Sequence, residues 1–201
     1  MWWLDQGSKT HEATAEPLSR FSVLDSHDLD EAQEFVGSVF CPHSLRPVKF
    51  RGTPAGVRMN HAPIHKTSVN YLKYGSPVEV EPGMLNDFFL VQVQLEGTMK
   101  VKSGTQQAEI GPGQASVLSP SEHTHMLWTA DSAEVILRLQ RETIERQLSS
   151  LLGSHLPDPL VFDVMMDCSV GPAASWWRAL KFLISELELT NNVMNTPFAA
   201  R

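Results

Sequence analysis

The residues with chemical potential are few and widely spaced. His123 and His125 form an H-x-H pair; in a strand, positions i and i+2 face the same way, so two imidazoles could converge on one metal. No carboxylate and third imidazole accompany them, which leaves the pair in or beside the turn after Pro120. His61 and His65 are four apart, but Pro63 between them points to a loop or irregular strand rather than a helical ligand pair. The two cysteines, Cys41 and Cys168, make neither a C-x-x-C nor a zinc-type cluster, and they exclude a disulfide framework. No G-x-S-x-G elbow and no glycine-rich phosphate loop occur, and Gly111-Pro112-Gly113 reads as a turn. Neither a metal, a cofactor nor a catalytic residue is expected, and Cys41 is expected to pack at a helix end.

Composition narrows the partners. Of the 201 residues, 42% are apolar and 19% charged, and 16 Lys and Arg against 23 Asp and Glu give a net charge of −7. A polyanion binder needs clustered excess cations, so direct contact with nucleic acid is disfavoured. The N-terminus lacks a basic region followed by an apolar one, and no stretch has the length of a membrane span. With two unpaired thiols, a cytoplasmic protein is expected, without membrane contact.

These side chains must be positioned by an ordered set of elements. Residues 1–20 are polar apart from Trp2-Trp3 and read as a tail or arm. Ala32, Phe35, Val36, Val39 and Phe40 recur at helical spacing behind Asp28 as N-cap, and Pro42 closes that helix. Short runs between Gly and Pro turns then predict strands over 67–74, 78–80, 88–96, 99–103, 107–110, 114–118, 126–129 and 134–139. Many short strands at regular spacing make an antiparallel sandwich or barrel. Beyond Gln140 the period becomes helical: Ile144, Leu148, Leu151 and Leu152 end at Gly153, and Pro172 opens a helix bearing Trp177, Leu180, Leu183, Ile184 and Leu187. Pro197-Phe198-Ala199-Ala200-Arg201 looks like the opening of another helix.

From Phe21 to Arg201 an ordered set of patterns resembles the effector-binding N-terminal domain of AraC/XylS-family transcriptional regulators. The set runs through Cys41-Pro42-His43-Ser44-Leu45, Tyr71-Leu72-Lys73-Tyr74-Gly75, Val91 to Gly97, Gly111 to Pro120, Trp128-Thr129-Ala130-Asp131, Leu151-Leu152-Gly153, Pro159-Leu160-Val161-Phe162 and Trp176-Trp177. The resemblance implies an α+β, mainly β fold: a cupin-like antiparallel sandwich or barrel with an N-terminal helix and C-terminal helices. It implies a barrel over 21–140, a helical dimerisation and linker region over 141–201, and a DNA-binding helix-turn-helix domain outside these residues. The expected partners are a small-molecule effector, a second copy of the chain, and DNA only through that further domain.

A cupin-type metal enzyme is the alternative, with His123 and His125 as ligands. The stretch that would carry its first histidine pair reads Asn86-Asp87-Phe88. A sensor needs instead an apolar cavity with a few orienting polar groups. Its walls are expected from Val69, Tyr71, Phe89, Val91, Val93, Met99, Val101, Val117, Leu127 and Val135. The expected effector contacts are Arg46 and Arg58, whose planar forks suit a carboxylate, with Arg51 behind them; His61 or His65 as donors; and Tyr71, Phe89 and Trp128 against a flat ring. Trp177, Leu180, Ile184 and Leu187 are the expected dimerisation face.

Overall fold

The computed structural model describes residues 16–189, so Trp2-Trp3 and the Pro197 helix opening lie outside the described residues. Helix α1 spans Leu29–Val39. A side-chain oxygen of Asp28 accepts the backbone N–H of Asp30 at 2.8 Å and of Glu31 at 3.3 Å, satisfying two donors of the first turn. Its apolar face buries Ala32 and Val36.

Twelve strands follow the sequence order β1 Ser22–Ser26, β2 Ser44–Pro47, β3 Val57–Ile64, β4 Thr67–Lys73, β5 Val78–Met84 and β6 Phe88–Glu96. Then come β7 Met99–Ser103, β8 Gln106–Ile110, β9 Gln114–Leu118, β10 His123–Trp128, β11 Ala133–Gln140 and β12 Met165–Asp167. They form a seven-stranded sheet, β1-β3-β4-β11-β6-β9-β12, and a five-stranded sheet, β2-β5-β10-β7-β8. All pairings are antiparallel. β1, β2, β3 and β12 add to the predicted strands. β3 carries Pro63 opposite Ser68, one step from its end, where a missing amide donor costs the ladder little.

Helix α2, Arg141–Leu152, stops at Gly153, whose φ of 68° is the left-handed turn a glycine adopts without strain. Helix α3, Gly171–Glu188, lies against the outer face of the seven-stranded sheet. There Leu180 and Leu187 join Val69, Val91, Val93, Val135 and Leu137 in one buried cluster, with Trp176, Trp177, Leu183 and Ile184 packed on it. A second cluster, including Leu72, Leu90, Met99, Val101, Met126, Trp128 and Ile136, fills the space between the sheets. The large sheet is therefore buried on both faces.

The segment ahead of β1 is tied to the end of α3. Leu18 is fully buried in the outer cluster, the backbone N–H of Ser19 donates to Glu188 Oε1 at 2.8 Å, and Arg20 Nη1 donates to the Glu188 carbonyl at 2.9 Å. Asn60 Nδ2 holds the Pro17 carbonyl at 2.7 Å.

Gly97 turns β6 into β7 with φ of 65°, and a Cβ there would lie 2.5 Å from the Ser132 backbone nitrogen. Gly97→Ala is expected to cost at least about 1–3 kcal/mol, and Asp28→Ala about 1 kcal/mol. Urea denaturation checks both: the midpoint drops in each variant, further for Gly97→Ala.

Candidate functional site

Strand pleating decides which side chains meet between the sheets. On β4, β6 and β11 the inward row holds Asn70 and Leu72, continued by Tyr74 just past β4; Phe88, Leu90, Gln92 and Gln94; and Glu134, Ile136 and Arg138. On β10 it holds Thr124, Met126 and Trp128. Between these rows, under the C-terminal end of α1, lies a small cavity of about 40 Å³. Val36, Phe40 and Cys41 roof it, Leu72, Tyr74, Leu90, Gln92 and Ile136 form one wall, and Val80, Met126 and Trp128 the other. Its walls are mostly apolar, as the walls of small-molecule pockets are.

Polar groups punctuate this lining. Gln92 Oε1 accepts from Ser116 Oγ at 2.8 Å. His43 lines the mouth, with Nδ1 3.1 Å from the Cys41 carbonyl. That contact makes Nδ1 the donor and leaves Nε2 a buried acceptor without a partner. Burial pushes the His43 pKa below its ordinary value, so the ring is held neutral. Burial also pushes the Cys41 thiol up, a rise that the positive charge of Arg138 opposes. Arg138 lies one inward step beyond Ile136, its guanidinium 4.4 Å above the Phe88 ring and its buried Nε without a partner. At the other end, Tyr74 and Trp128 meet edge to face at 5.2 Å, and the Trp128 Nε1 is buried and unpartnered.

Of the sequence-predicted contacts, Trp128 lies in the cavity wall. His61 faces inward on the row of Asn70, whose Oδ1 accepts from His61 Nδ1 at 2.6 Å; it does not line the cavity. The rest stand elsewhere. Arg46 is exposed on β2 beside Glu79, and Arg58 lies outside, paired with Glu16 at 3.0 Å. His65 is exposed at the β3–β4 turn with φ of 52°. Tyr71 faces outward, where burial, with Glu16 and Glu96 nearby, pushes its phenol well above the ordinary value. Phe89 also faces outward and meets Phe162 edge to face at 5.4 Å. Among the predicted wall residues, Val69, Val91, Val93 and Val135 pack toward α3, while Met99 and Val101 do face inward. Of the predicted pairing stripe, Leu180 and Leu187 are buried against the chain's own sheet, with Trp177 and Ile184 packed beside them.

The H-x-H pair faces away from the interior, on the outer side of β10. His123 is exposed, and His125 Nε2 meets Glu79 Oε1 at 2.6 Å, a hydrogen bond that holds the Glu79 carboxyl below its ordinary pKa. Among the described residues no three His, Cys, Asp or Glu side chains are grouped to hold a metal, and no helix is long and apolar enough to cross a membrane.

Sequence reasoning missed Leu72, Tyr74, Leu90, Gln92, Ile136 and Arg138. The available signal was the strict alternation of Glu134-Val135-Ile136-Leu137-Arg138 and of Leu90 to Gln94, read on the opposite face.

The chain belongs to the AraC-binding-like domain family, whose model matches residues 32–201. It is 25% identical over 182 residues to the probable thc operon regulatory protein of Rhodococcus erythropolis, covering 87% of this chain and 54% of that protein. The chain thus spans about half the length of that curated relative. The crystal structure of the AraC-like transcriptional activator CuxR superposes with a TM-score of 0.63 at 13% identity, over 89% of this chain and 64% of that one. The architecture is mainly β, two antiparallel sheets with helices packed on them.

Glu134, fully buried, has both carboxyl oxygens unpartnered, and desolvation raises its pKa well above the ordinary value. The folded chain then keeps a proton that the unfolded chain releases. Stability is full below the ordinary glutamate pKa and falls as pH rises above it. Urea midpoints measured from pH 4 upward are expected to show this fall in the native chain and a shallower one in Glu134→Gln.

Proposed function

We propose that this chain is the effector-sensing part of a transcriptional regulator, with the small organic effector bound in the cavity beneath α1. The observation that carries this reading is the cavity itself: an apolar slot between two sheets, roofed by one short helix and bordered by a few polar groups. Family membership and the regulatory name of the relative support it. The effector's apolar body lies against Trp128, Tyr74 and Ile136. A carboxylate on it would sit at Arg138, whose fork stands beside the cavity mouth, whereas Arg46 and Arg58 stand outside.

DNA contact falls to a further domain, in keeping with the charge of −7. Two copies pair through outward apolar side chains of the helices, such as Leu151 and Leu152 of α2 and Phe182 of α3, which are 74%, 60% and 65% exposed. The effector acts by binding two arrangements of the pair unequally, since equal affinity shifts nothing. Val36 and Phe40 roof the cavity, so α1 is the element whose position an occupant sets.

A thermal-shift screen of small aromatic acids tests this. A ligand at a hundred times its Kd stabilises the folded chain by about 2.7 kcal/mol. That shift should vanish in Ile136→Phe, which fills the cavity, fall in Arg138→Ala, and persist in Arg46→Ala and Arg58→Ala. Loss of the shift in Arg46→Ala with retention in Ile136→Phe would move the site out of the barrel.

A further inference from the structure

The polar side chains that line the cavity beneath α1 keep unused hydrogen-bonding capacity. Gln92 and Tyr74 line it from the side of the larger sheet, each 2% exposed. The oxygen of Gln92 is committed to Ser116 Oγ at 2.8 Å, while its amide nitrogen has no partner among the described residues. The Tyr74 hydroxyl has none either. Neither atom is among the sealed, unpartnered polar atoms of the chain, and in side chains so deeply buried the open space beside them is the cavity that both line. Two sealed polar atoms belong to the same lining: Trp128 Nε1 opposite, a donor, and His43 Nε2 at the mouth, an acceptor.

We propose that this cavity recognises an uncharged carbonyl group of the effector, whose oxygen accepts from the Gln92 amide and the Tyr74 hydroxyl. The inference rests on the effector-binding reading above and names the polar group that enters the cavity. Donors outnumber acceptors on the lining: a primary amide nitrogen and an indole nitrogen can only donate, and a phenol can donate as well as accept. A carbonyl oxygen has two lone pairs, one for each open donor, and brings no proton of its own to place. An ammonium would set donors against donors. A carboxylate would bury a charge among neutral groups, because no lining residue among those described carries one and His43 is held neutral. Glu134 and Arg138, one inward step to either side of Ile136, stand outside this lining. The volume of about 40 Å³ sets the size of the buried part. One water needs about 10–15 Å³, so a carbonyl with its attached carbons fills the space, and the rest of the effector extends past the half-buried Phe40 and His43.

Nitrogen-15 correlation spectra of the 201-residue chain, titrated with four small probes of similar size, test this. The probes are butanone, its alkene isostere 2-methyl-1-butene, 2-butanol and propionate. Butanone is expected to move the Gln92 side-chain amide protons downfield, and 2-methyl-1-butene and propionate to leave them in place. Tyr74→Phe, which removes one oxygen, is expected to weaken butanone at least threefold, and Gln92→Met at least fivefold. Binding of 2-methyl-1-butene should stay within twofold in both. The amide shift in the native chain stands by itself if neither variant folds. Shifts of the Met126 and Ile136 methyl signals by butanone and by the alkene, with the Gln92 amide protons unmoved, overturn the carbonyl assignment and leave the cavity reading intact. An amide shift with propionate or 2-butanol as large as that with butanone overturns it as well. Perturbation of no cavity signal by any of the four removes the cavity reading and this inference with it.

Discussion

The constraint on which the structure depends is that its larger sheet is covered on both sides. On the outside, Val69, Val91, Val93, Val135 and Leu137 meet Leu180 and Leu187 of α3 in a dry cluster. Each such side chain contributes about 1.5–3 kcal/mol on burial. That contribution frees the inner face from carrying the fold alone. Asn70, Gln92, Gln94, Glu134 and Arg138 can then occupy inward positions that an ordinary one-sided sheet would fill with Val or Ile. The cost of an unpartnered polar group is comparable to the gain from one buried aliphatic residue, so an outer cluster of this size can offset several.

The same constraint assigns roles to the helices. α3 covers the outer face, where Leu180 and Leu187 are buried and Trp177 and Ile184 are packed beside them, half-buried. α1 packs Ala32, Val36, Leu29, Phe35 and Val39 on the inner core, and Val36 with Phe40 covers the slot. α2 buries no residue and projects Leu151 and Leu152 away from the barrel.

Much of the fold was legible because turns and periods are local. Asp28 announces α1, Gly153 ends α2, and the runs 88–96, 99–103 and 114–118 appear as strands with the predicted limits. β3 stayed hidden because Pro63 argues against a strand, although near a strand end its missing amide matters little. The site was less legible for one physical reason. In Phe88 to Glu96 both faces are buried, so alternation shows that two faces exist without saying which is inner. The usual rule of polar outward and apolar inward then chooses wrongly, and a choice off by one residue exchanges Leu90, Gln92 and Gln94 for Phe89, Val91 and Val93. The inward placement of Arg138 was lost by the same exchange, whereas that of Trp128 was legible because its own strand buries only one face. Arg46 and Arg58 attracted notice as arginines near the barrel, but sequence spacing does not reveal that Glu16 and Glu79 wait beside them outside.

The link between Glu188 and the Ser19-Arg20 segment gives the domain a common post at which chain entry and chain exit are lashed side by side. A force applied ahead of β1 is felt at the last turn of α3 across two hydrogen bonds and at β3 through Asn60 and Arg58. Whatever lies upstream and whatever lies downstream are mechanical neighbours, even though some 170 residues of chain separate the two bonded ends.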